Sequence, residues 1–263
     1  MSALLPIRMV DRPWGRTSLP APFVIPAGQR IGEVWFEPQP LLDQLLVKYI
    51  FTSEALSVQV HPADDQAPAG QRGKEECWLV LDAEPGARLG IGFDRAHSAE
   101  ALRAAARDGS IEKLLTWHPV QTGDFFSIPA GTVHAIGAGV ALIEVQQNSD
   151  ITYRLYDYGR PRELHLEAGM AVARCQPYPP TLHRQVPGSG HVVLVDGPLF
   201  RLDRLDGPPD AATRARFDGP VLAIPLDGAV RIAGETILPG QCGQAASLDA
   251  VEIGGRCLIA QGC

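Results

Sequence analysis

Lysine is nearly missing from this chain of 263 residues: Lys48, Lys74 and Lys113 are the three found among 23 basic side chains. The base composition of a gene can produce such a bias. A lysine kept where arginine is the habit can also mark an amine that has to titrate. Positive charge is short as well. The net charge of −7 excludes the basic stripe of a general nucleic-acid binder, so an anionic ligand must be recognised by a few local cations. No stretch approaches the roughly 18 consecutive apolar residues of a membrane span. The start Met-Ser-Ala-Leu-Leu-Pro-Ile-Arg lacks the basic opening and apolar core of a secretory signal. Cysteine is sparse: Cys77, Cys175, Cys242, Cys257 and Cys263 are odd in number and contain no C-x-x-C pair. That pattern excludes a disulfide framework and leads us to expect a reduced, cytoplasmic protein without a membrane or nucleic-acid partner.

What is present is a chain of globular composition, 45% apolar and 20% charged, long enough for one large or two ordinary domains. Short apolar segments are separated by Gly and Pro. Leu45 to Ile50, Ala55 to Val60, Glu76 to Leu81, Asp124 to Ile128, Val140 to Val145 and Ile151 to Tyr156 are the clearest predicted strands. Many short strands with regular turn signals predict a mainly β sandwich or barrel. One helix interrupts them, with Ser98 as N-cap and Gly109 as C′ residue, and a second helical turn covers Ile111 to Leu115. The insertion as a whole runs over about 98–116. A Pro-rich change of composition at 176–190 predicts a linker. It separates a metal-binding unit, 1–175, from a metal-free β unit, 191–263, whose short strands begin at His191 and end at Ile259. There are no close repeats or low-complexity tracts.

Four potential metal ligands lie in order in the first unit. Gln59 and His61 stand in S-V-Q-V-H-P, Glu76 in G-K-E-E-C-W, and His134 in I-P-A-G-T-V-H. The i, i+2 spacing of Gln59 and His61 puts both on one face of a strand. Glu76 opens another strand, and His134 follows a Pro-Ala-Gly turn that launches a third. The expectation is therefore convergence from three strands of one sheet. Two neutral imidazoles, one carboxylate and one amide suit Zn²⁺, although Gln is an unusual zinc ligand, and Fe(II) or Mn(II) accept the same mixed donors. The ion would keep a charge of about +1 with these ligands, available to an oxyanion.

Around this quartet, Lys74 precedes Glu76 by two and is expected on the same strand face, where a nearby metal should push its amine pKa down. Cys77 alternates to the opposite face as a small core residue. Glu144 ends one strand and Arg154 lies in the next, joined by a polar Asn-Ser-Asp loop containing Asp150. Taken singly, Arg154 reads as a salt-bridge residue with Glu144 as its mate, and Lys74 as a solvated strand residue. His97, His118, His183 and His191 read as structural or surface histidines, and His165 as fixing a turn.

Taken together, these segments resemble the type I phosphomannose isomerases, in their short bacterial form within the cupin superfamily. The resembling stretches are Trp14-Gly15, I-G-E-V-W at 31–35, L-S-V-Q-V-H-P at 56–62, G-K-E-E-C-W at 73–78, and G-D-F-F-S-I-P-A-G-T-V-H-A at 123–135. E-V-Q-Q-N-S-D-I-T-Y-R-L-Y-D-Y at 144–158 and P-R-E-L-H at 161–165 complete the set. The resemblance covers most of residues 10–170 and is loose in the last third. It implies two jelly-roll, cupin-like β-sandwich domains. It further implies one catalytic zinc held by Gln59, His61, Glu76 and His134, an active-site Arg154, and Lys74 against the substrate. Glu75 stands where the family often has a small or hydroxyl residue, and the loop Tyr158-Gly159-Arg160-Pro161 looks shorter than usual.

The activity implied is the interconversion of mannose 6-phosphate and fructose 6-phosphate through a cis-enediol. That reaction needs a base at C1 and C2, an electrophile for the oxyanion and a cationic grip on phosphate. Glu144, Asp150 and Lys74 are the candidates for acid/base work, with Glu144 preferred on position, while Lys74, Arg154 and Asp150 would contact the sugar phosphate. A sugar-binding or sensory cupin that has lost catalysis, and an Fe(II) cupin dioxygenase, are the competing readings. A monomer or a homodimer is expected.

Overall fold

The computed structural model describes residues 3–263. Its first half contains β1 (Ile7–Arg16), β2 (Ile31–Phe36), β3 (Leu45–Phe51), β4 (Val58–Val60), β5 (Glu76–Ala83), β6 (Arg88–Phe93), β7 (Leu115–Pro119), β8 (Asp124–Ile128), β9 (His134–Ile136), β10 (Val140–Gln147), β11 (Tyr153–Tyr156) and β12 (His183–Gln185). Seven of them form one sheet in the order β1-β2-β3-β10-β5-β8-β12, and five form a second in the order β11-β4-β9-β6-β7. The expected mainly β sandwich is what forms. Its strands alternate strictly between two environments. On β10, Ala141, Ile143 and Val145 join one apolar cluster, while Val140 and Leu142 join the cluster between the two sheets. The same inner face then continues into Glu144 and Gln146, so one strand carries both sandwich core and polar site.

The helical insertion comprises α1 (Ala99–Asp108) and α2 (Ile111–Leu114), with α3 (Leu166–Val172) following β11. As predicted, the Ser98 hydroxyl accepts from the Ala101 N–H at 3.1 Å, and Gly109 ends the helix at φ 81°. Leu102, Ala105 and Ala106 of α1 and Met170 of α3 cover Val58, Val60, Val133, Ala135 and Leu155 on the outer face of the five-stranded sheet. The helices thus leave the opposite face of that sheet free to build the interior.

The second half contains β13 (Val192–Asp196), β14 (Phe200–Asp206), α4 (Ala211–Arg216), β15 (Val221–Pro225), β16 (Val230–Ile232), β17 (Glu235–Ile237), β18 (Gly243–Ala245), β19 (Val251–Ile253) and β20 (Arg256–Gly262). They form a five-stranded sheet, β13-β14-β20-β15-β18, and a three-stranded sheet, β17-β16-β19. Several elements were not predicted, among them β1, β2, β6, β7, β12, α3 and α4. His183–Gln185, inside the expected linker, pairs with β8 as the edge strand of the seven-stranded sheet. β1 escaped the strand pattern because Asp11, Arg12 and Pro13 interrupt it, and its register breaks at Val10/Asp11.

One apolar cluster spans both halves: Phe36, Val47, Phe51 and Ile143 pack in it with Leu194, Phe200, Leu202 and Leu258. A core shared in this way couples the two halves. Phe200→Ala should therefore cost about 3–5 kcal/mol and lower a single cooperative transition in chemical denaturation. Two separate transitions in the parent protein would contradict the coupling.

Candidate active site

Strand register builds the site from two facing rows of side chains. Across the seven-stranded sheet, Trp35 pairs with Lys48, Lys48 with Glu144, Glu144 with Trp78, and Trp78 with Phe126. Across the five-stranded sheet, Arg154 pairs with Gln59, Gln59 with His134, and His134 with Ile91. Directly opposed residues on antiparallel strands put their side chains on the same face, so each row points inward. The rows meet where the Trp78 and His134 rings pack edge to face, 5.2 Å between centroids. At one end they diverge into a cleft of about 210 Å³.

At the junction, ligand atoms of His61, Glu76 and His134 all lie within 4.8 Å of one another. Glu76 Oε2 is 3.6 Å from His61 Nε2, and Oε1 is 3.4 Å from His134 Nε2. The far nitrogens are spoken for: His61 Nδ1 donates to the Ile151 carbonyl at 2.7 Å and His134 Nδ1 to Thr132 at 2.9 Å. That fixes each tautomer and turns Nε2 inward as an acceptor, the usual preparation of an imidazole ligand; Lys74 Nζ lies 3.1 Å from His61 Nε2. Both Glu76 oxygens are buried without a well-aligned hydrogen bond. A buried carboxylate facing two acceptor imidazole nitrogens is a donor set that fits a divalent cation. Gly131, at φ 83°, completes the turn that aims His134. Gln59 stands at the edge of the trio, its Nε2 3.2 Å from His134 Nε2 and its Oε1 accepting from the Ser57 hydroxyl. Rotating the amide by half a turn brings Oε1 to the trio.

Beside the trio runs a chain of buried charge. Lys74 Nζ is 2.7 Å from Glu76 Oε2 and 3.8 Å from Glu144 Oε1, and Lys48 Nζ is 3.1 Å from Glu144 Oε1. The Trp78 indole donates to Glu144 Oε2 at 3.1 Å, and Lys48 also donates to Gln146 and lies over the Trp35 ring. Burial alone would raise the Glu144 pKa, but Lys74, Lys48 and the Trp78 donor overcome it and hold Glu144 well below the usual carboxylate range. Burial and the neighbouring Glu144 charge push Glu76 up to about 7, against the pull of Lys74. Desolvation lowers His61 far below its ordinary value and His134 to about 4, so both stay neutral.

Several expectations change. The ligands converge from two sheets, Gln59, His61 and His134 from the β4–β9 side and Glu76 from β5, because the cleft lies between the sheets. Lys74 sits in the loop before β5, anchored by its N–H to the Pro62 carbonyl at 2.9 Å. In the metal-free site burial works its amine pKa downward, but Glu144 and Glu76 outweigh it and raise it. Glu144 pairs with the two lysines rather than with Arg154. Among the described residues no carboxylate or carbonyl pairs with the Arg154 guanidinium, whose Nε is buried without a partner. Asp150 is exposed at the cleft rim, on a loop held by Gln146 Nε2 donating to the Gln147 and Ser149 carbonyls. His165 caps α3 and accepts from the Arg154 N–H at 3.3 Å.

Residues missed by the sequence reading are Lys48, Glu33, Trp35, Arg12 and Arg162, all lining the cleft. Their signals were available: Lys48 is one of three lysines, and Glu33, Trp35 and Arg162 stand in the quoted I-G-E-V-W and P-R-E-L-H stretches.

Fold and site together define a cupin-type β-sandwich with a histidine–carboxylate centre between its sheets. No protein-family model matches the chain. It is 42% identical over 168 residues to a mannose-6-phosphate isomerase of Streptococcus mutans, covering 59% of this chain and 52% of that one. It is 34% identical over 232 residues to mannose-6-phosphate isomerase ManA of Bacillus subtilis, covering 81% and 73%. The chain thus matches about half the length of the streptococcal relative and nearly three quarters of the Bacillus one. The crystal structure of the Bacillus subtilis mannose 6-phosphate isomerase superposes with TM-score 0.78 at 25% identity, over 99% of each chain. A zinc-bound mannose 6-phosphate isomerase shares the fold at TM-score 0.70 and 16% identity, over 98% of each chain. The chain belongs to the mannose-6-phosphate isomerase family.

Two measurements check the centre. By elemental analysis after gel filtration, His61→Ala and His134→Ala should each lose added Zn²⁺, whereas His97→Ala, which pairs with Asp94 at 2.7 Å, should keep it. The rise in melting temperature on adding Zn²⁺ should also grow as pH climbs through about 7, where Glu76 loses its proton. The sign follows from linkage: a carboxyl raised above its unfolded value favours the metal-free fold below the unfolded pKa and loses that contribution on ionising. Metal binding needs the ionised form, so zinc compensates most at higher pH. A zinc effect that is flat from pH 5 to 8 would contradict this assignment.

Proposed function

We propose that the protein interconverts mannose 6-phosphate and fructose 6-phosphate through a cis-enediolate. The observation that carries this reading is the His61–Glu76–His134 trio opening, past Lys74, into a cleft lined by Arg154 and other cations. The trio would hold a divalent ion, with Gln59 as a fourth ligand once its amide turns. Zinc, the metal bound by a solved isomerase of this fold, would supply Lewis-acid polarisation of the sugar oxygens when bound.

The chain's own residues divide the remaining work. Lys74 stays protonated between Glu76 and Glu144 and can donate to the oxygen that gains charge as the enediolate forms. Glu144 accepts from Lys48 and Trp78 and neighbours Lys74, so its proton affinity is low; it holds the two ammonium groups in place rather than serving as the base. Asp150 lines the cleft with a carboxylate that takes no hydrogen bond or ion pair among the described residues. It is the best placed of the three candidates to carry a proton between C2 and C1. Arg154, with its guanidinium unpaired, is the group ready to receive an anionic part of the substrate.

A catalytic reading is favoured over a sensory cupin because a binding module has no need of the buried Lys48–Glu144–Lys74 chain. Such a chain is costly to desolvate and stabilises weakly. No observation favours the dioxygenase. The cytoplasm is the proposed location, with the five cysteines all free. Among the described residues no helix is long and apolar enough to cross a membrane.

An isomerase assay on purified protein should show turnover of mannose 6-phosphate that chelation abolishes and zinc restores. Undiminished turnover of the metal-free protein would remove the metal from the reaction. Asp150→Asn should lower kcat by about 10²- to 10⁴-fold with KM within a few-fold. Glu144→Gln should instead change the pH profile along with kcat, since it frees two lysines. Near-normal kcat in Asp150→Asn would return the base to Glu144.

A further inference from the structure

Lys74 and Asp150, the two groups given proton work, both sit on loops, one before β5 and one after β10. A site on a loop is less precise than one on a strand unless a supporting shell fixes it. Around Lys74 that shell is a run of three consecutive backbone N–H groups, each with its own acceptor. Gly73 donates to Asp64 Oδ1 at 2.7 Å, Lys74 to the Pro62 carbonyl at 2.9 Å, and Glu75 to Gln147 Oε1 at 2.9 Å. The approach is close. A Cβ on Gly73 would lie 2.5 Å from the Ala63 carbonyl carbon and from the Asp64 nitrogen, so glycine is required there.

Two of the three acceptors are joined to each other. Gln147 Nε2 donates to Asp64, 3.0 Å from Oδ1 and 3.2 Å from Oδ2, so Gly73, Asp64, Gln147 and Glu75 close a relay around Lys74. Gln147 is buried, and Asp64 sits at the surface with its carboxylate reaching back to these donors. Gln147 also ends β10. Its N–H donates to the Glu75 carbonyl at 3.0 Å, and its own carbonyl accepts from the Ser149 N–H and from Gln146 Nε2, both at 2.7 Å. One residue thus holds the Lys74 loop and starts the loop that carries Asp150. The relay has a direction: a carboxylate only accepts, so Gln147 must turn its NH2 to Asp64 and its oxygen to Glu75.

We propose that Asp64 and Gln147 are positioning residues for the isomerisation, which together set where Lys74 and Asp150 stand relative to each other. The proposal rests on the isomerase reading above. Neither residue lines the cleft, so both act through the loops they hold and not on the substrate.

The direction of the relay supplies its test. In Asp64→Asn the new amide can accept from Gly73 only by turning its NH2 towards the NH2 of Gln147. In Gln147→Glu two carboxylates face each other. Each single change breaks one link, and the double variant Asp64→Asn with Gln147→Glu restores every donor–acceptor pair with carboxylate and amide exchanged. The parent and the three variants are compared on mannose 6-phosphate in the zinc-loaded form. Each single variant should lower kcat roughly 10- to 100-fold, the cost of an ångström-scale misplacement, with KM within a few-fold and zinc content unchanged. The double variant should return to within a few-fold of the parent kcat, a rescue that a general loss of stability would not give. Parent kcat in Asp64→Asn overturns the proposal, as does a double variant no more active than the single ones. Zinc loss that accounts for the lower kcat overturns it too, since the relay would then support the metal centre alone. Amide hydrogen exchange over residues 73–76 needs no substrate and separates the two readings: it should be slow in the parent and the double variant and faster in both single ones. If the parent turns over no mannose 6-phosphate, the isomerase reading fails, and exchange left unchanged by the single substitutions would still overturn the relay.

Discussion

Charge buried between two sheets is the constraint around which the rest of this structure is arranged. Lys48, Lys74, Glu76 and Glu144 are each at most 5% exposed, and taking such groups from water costs several kcal/mol apiece unless they are paired. Lys48, Glu76 and Glu144 occupy neighbouring positions on strands whose opposite faces are packed with apolar residues, and Lys74 joins them from the loop before β5. The alternation on β3, β5 and β10 therefore holds the charges in place: Val47 and Tyr49, Cys77 and Leu79, Ile143 and Val145 point one way, and the ionic residues point the other. A one-residue slip of β10 would drive Glu144 into the apolar cluster and Ile143 into the site, so the register is strongly specified.

The same arrangement sets the protonation of the groups around the trio. Lys48 pairs with Glu144, and Lys74 lies between the two carboxylates, 2.7 Å from Glu76 and 3.8 Å from Glu144. The histidines are kept neutral by burial and oriented by the Ile151 and Thr132 carbonyls. Each group's protonation is set by what it packs against, which allows four titratable side chains to differ in behaviour within one small volume. Toward the rim, Arg12 pairs with Glu33 and Arg162 with Asp157, while Arg154 has no acidic partner among the described residues.

The helices and the second β unit serve this site indirectly. α1 and α3 seal the outer face of the five-stranded sheet so that Gln59, His134 and Arg154 can face inward. The second unit packs on the outer face of the seven-stranded sheet through Phe200, Leu202 and Leu258. Neither contributes a residue to the cleft lining, and both limit how far the two inner rows can move apart.

By itself, the sequence determined the β character and the α1 caps at Ser98 and Gly109, because these depend on local periodicity and on spacing within short segments; the grouping of His61, Glu76 and His134 came from their order along the chain and the resemblance that order carries. It also placed Arg154 and Asp150 near the same cavity. What it did not determine was which groups pair. Lys48 and Glu144 lie 96 positions apart, and the β3–β10 ladder alone brings them together. The sequence reading therefore matched Glu144 with Arg154, its near neighbour along the chain. Likewise β12 looked like linker, since three residues of edge strand have no period to read. Tertiary structure decided the pairing, the protonation states and the split of the ligands between two sheets. Those quantities depend on distances and burial across strands, and a one-dimensional pattern does not carry them.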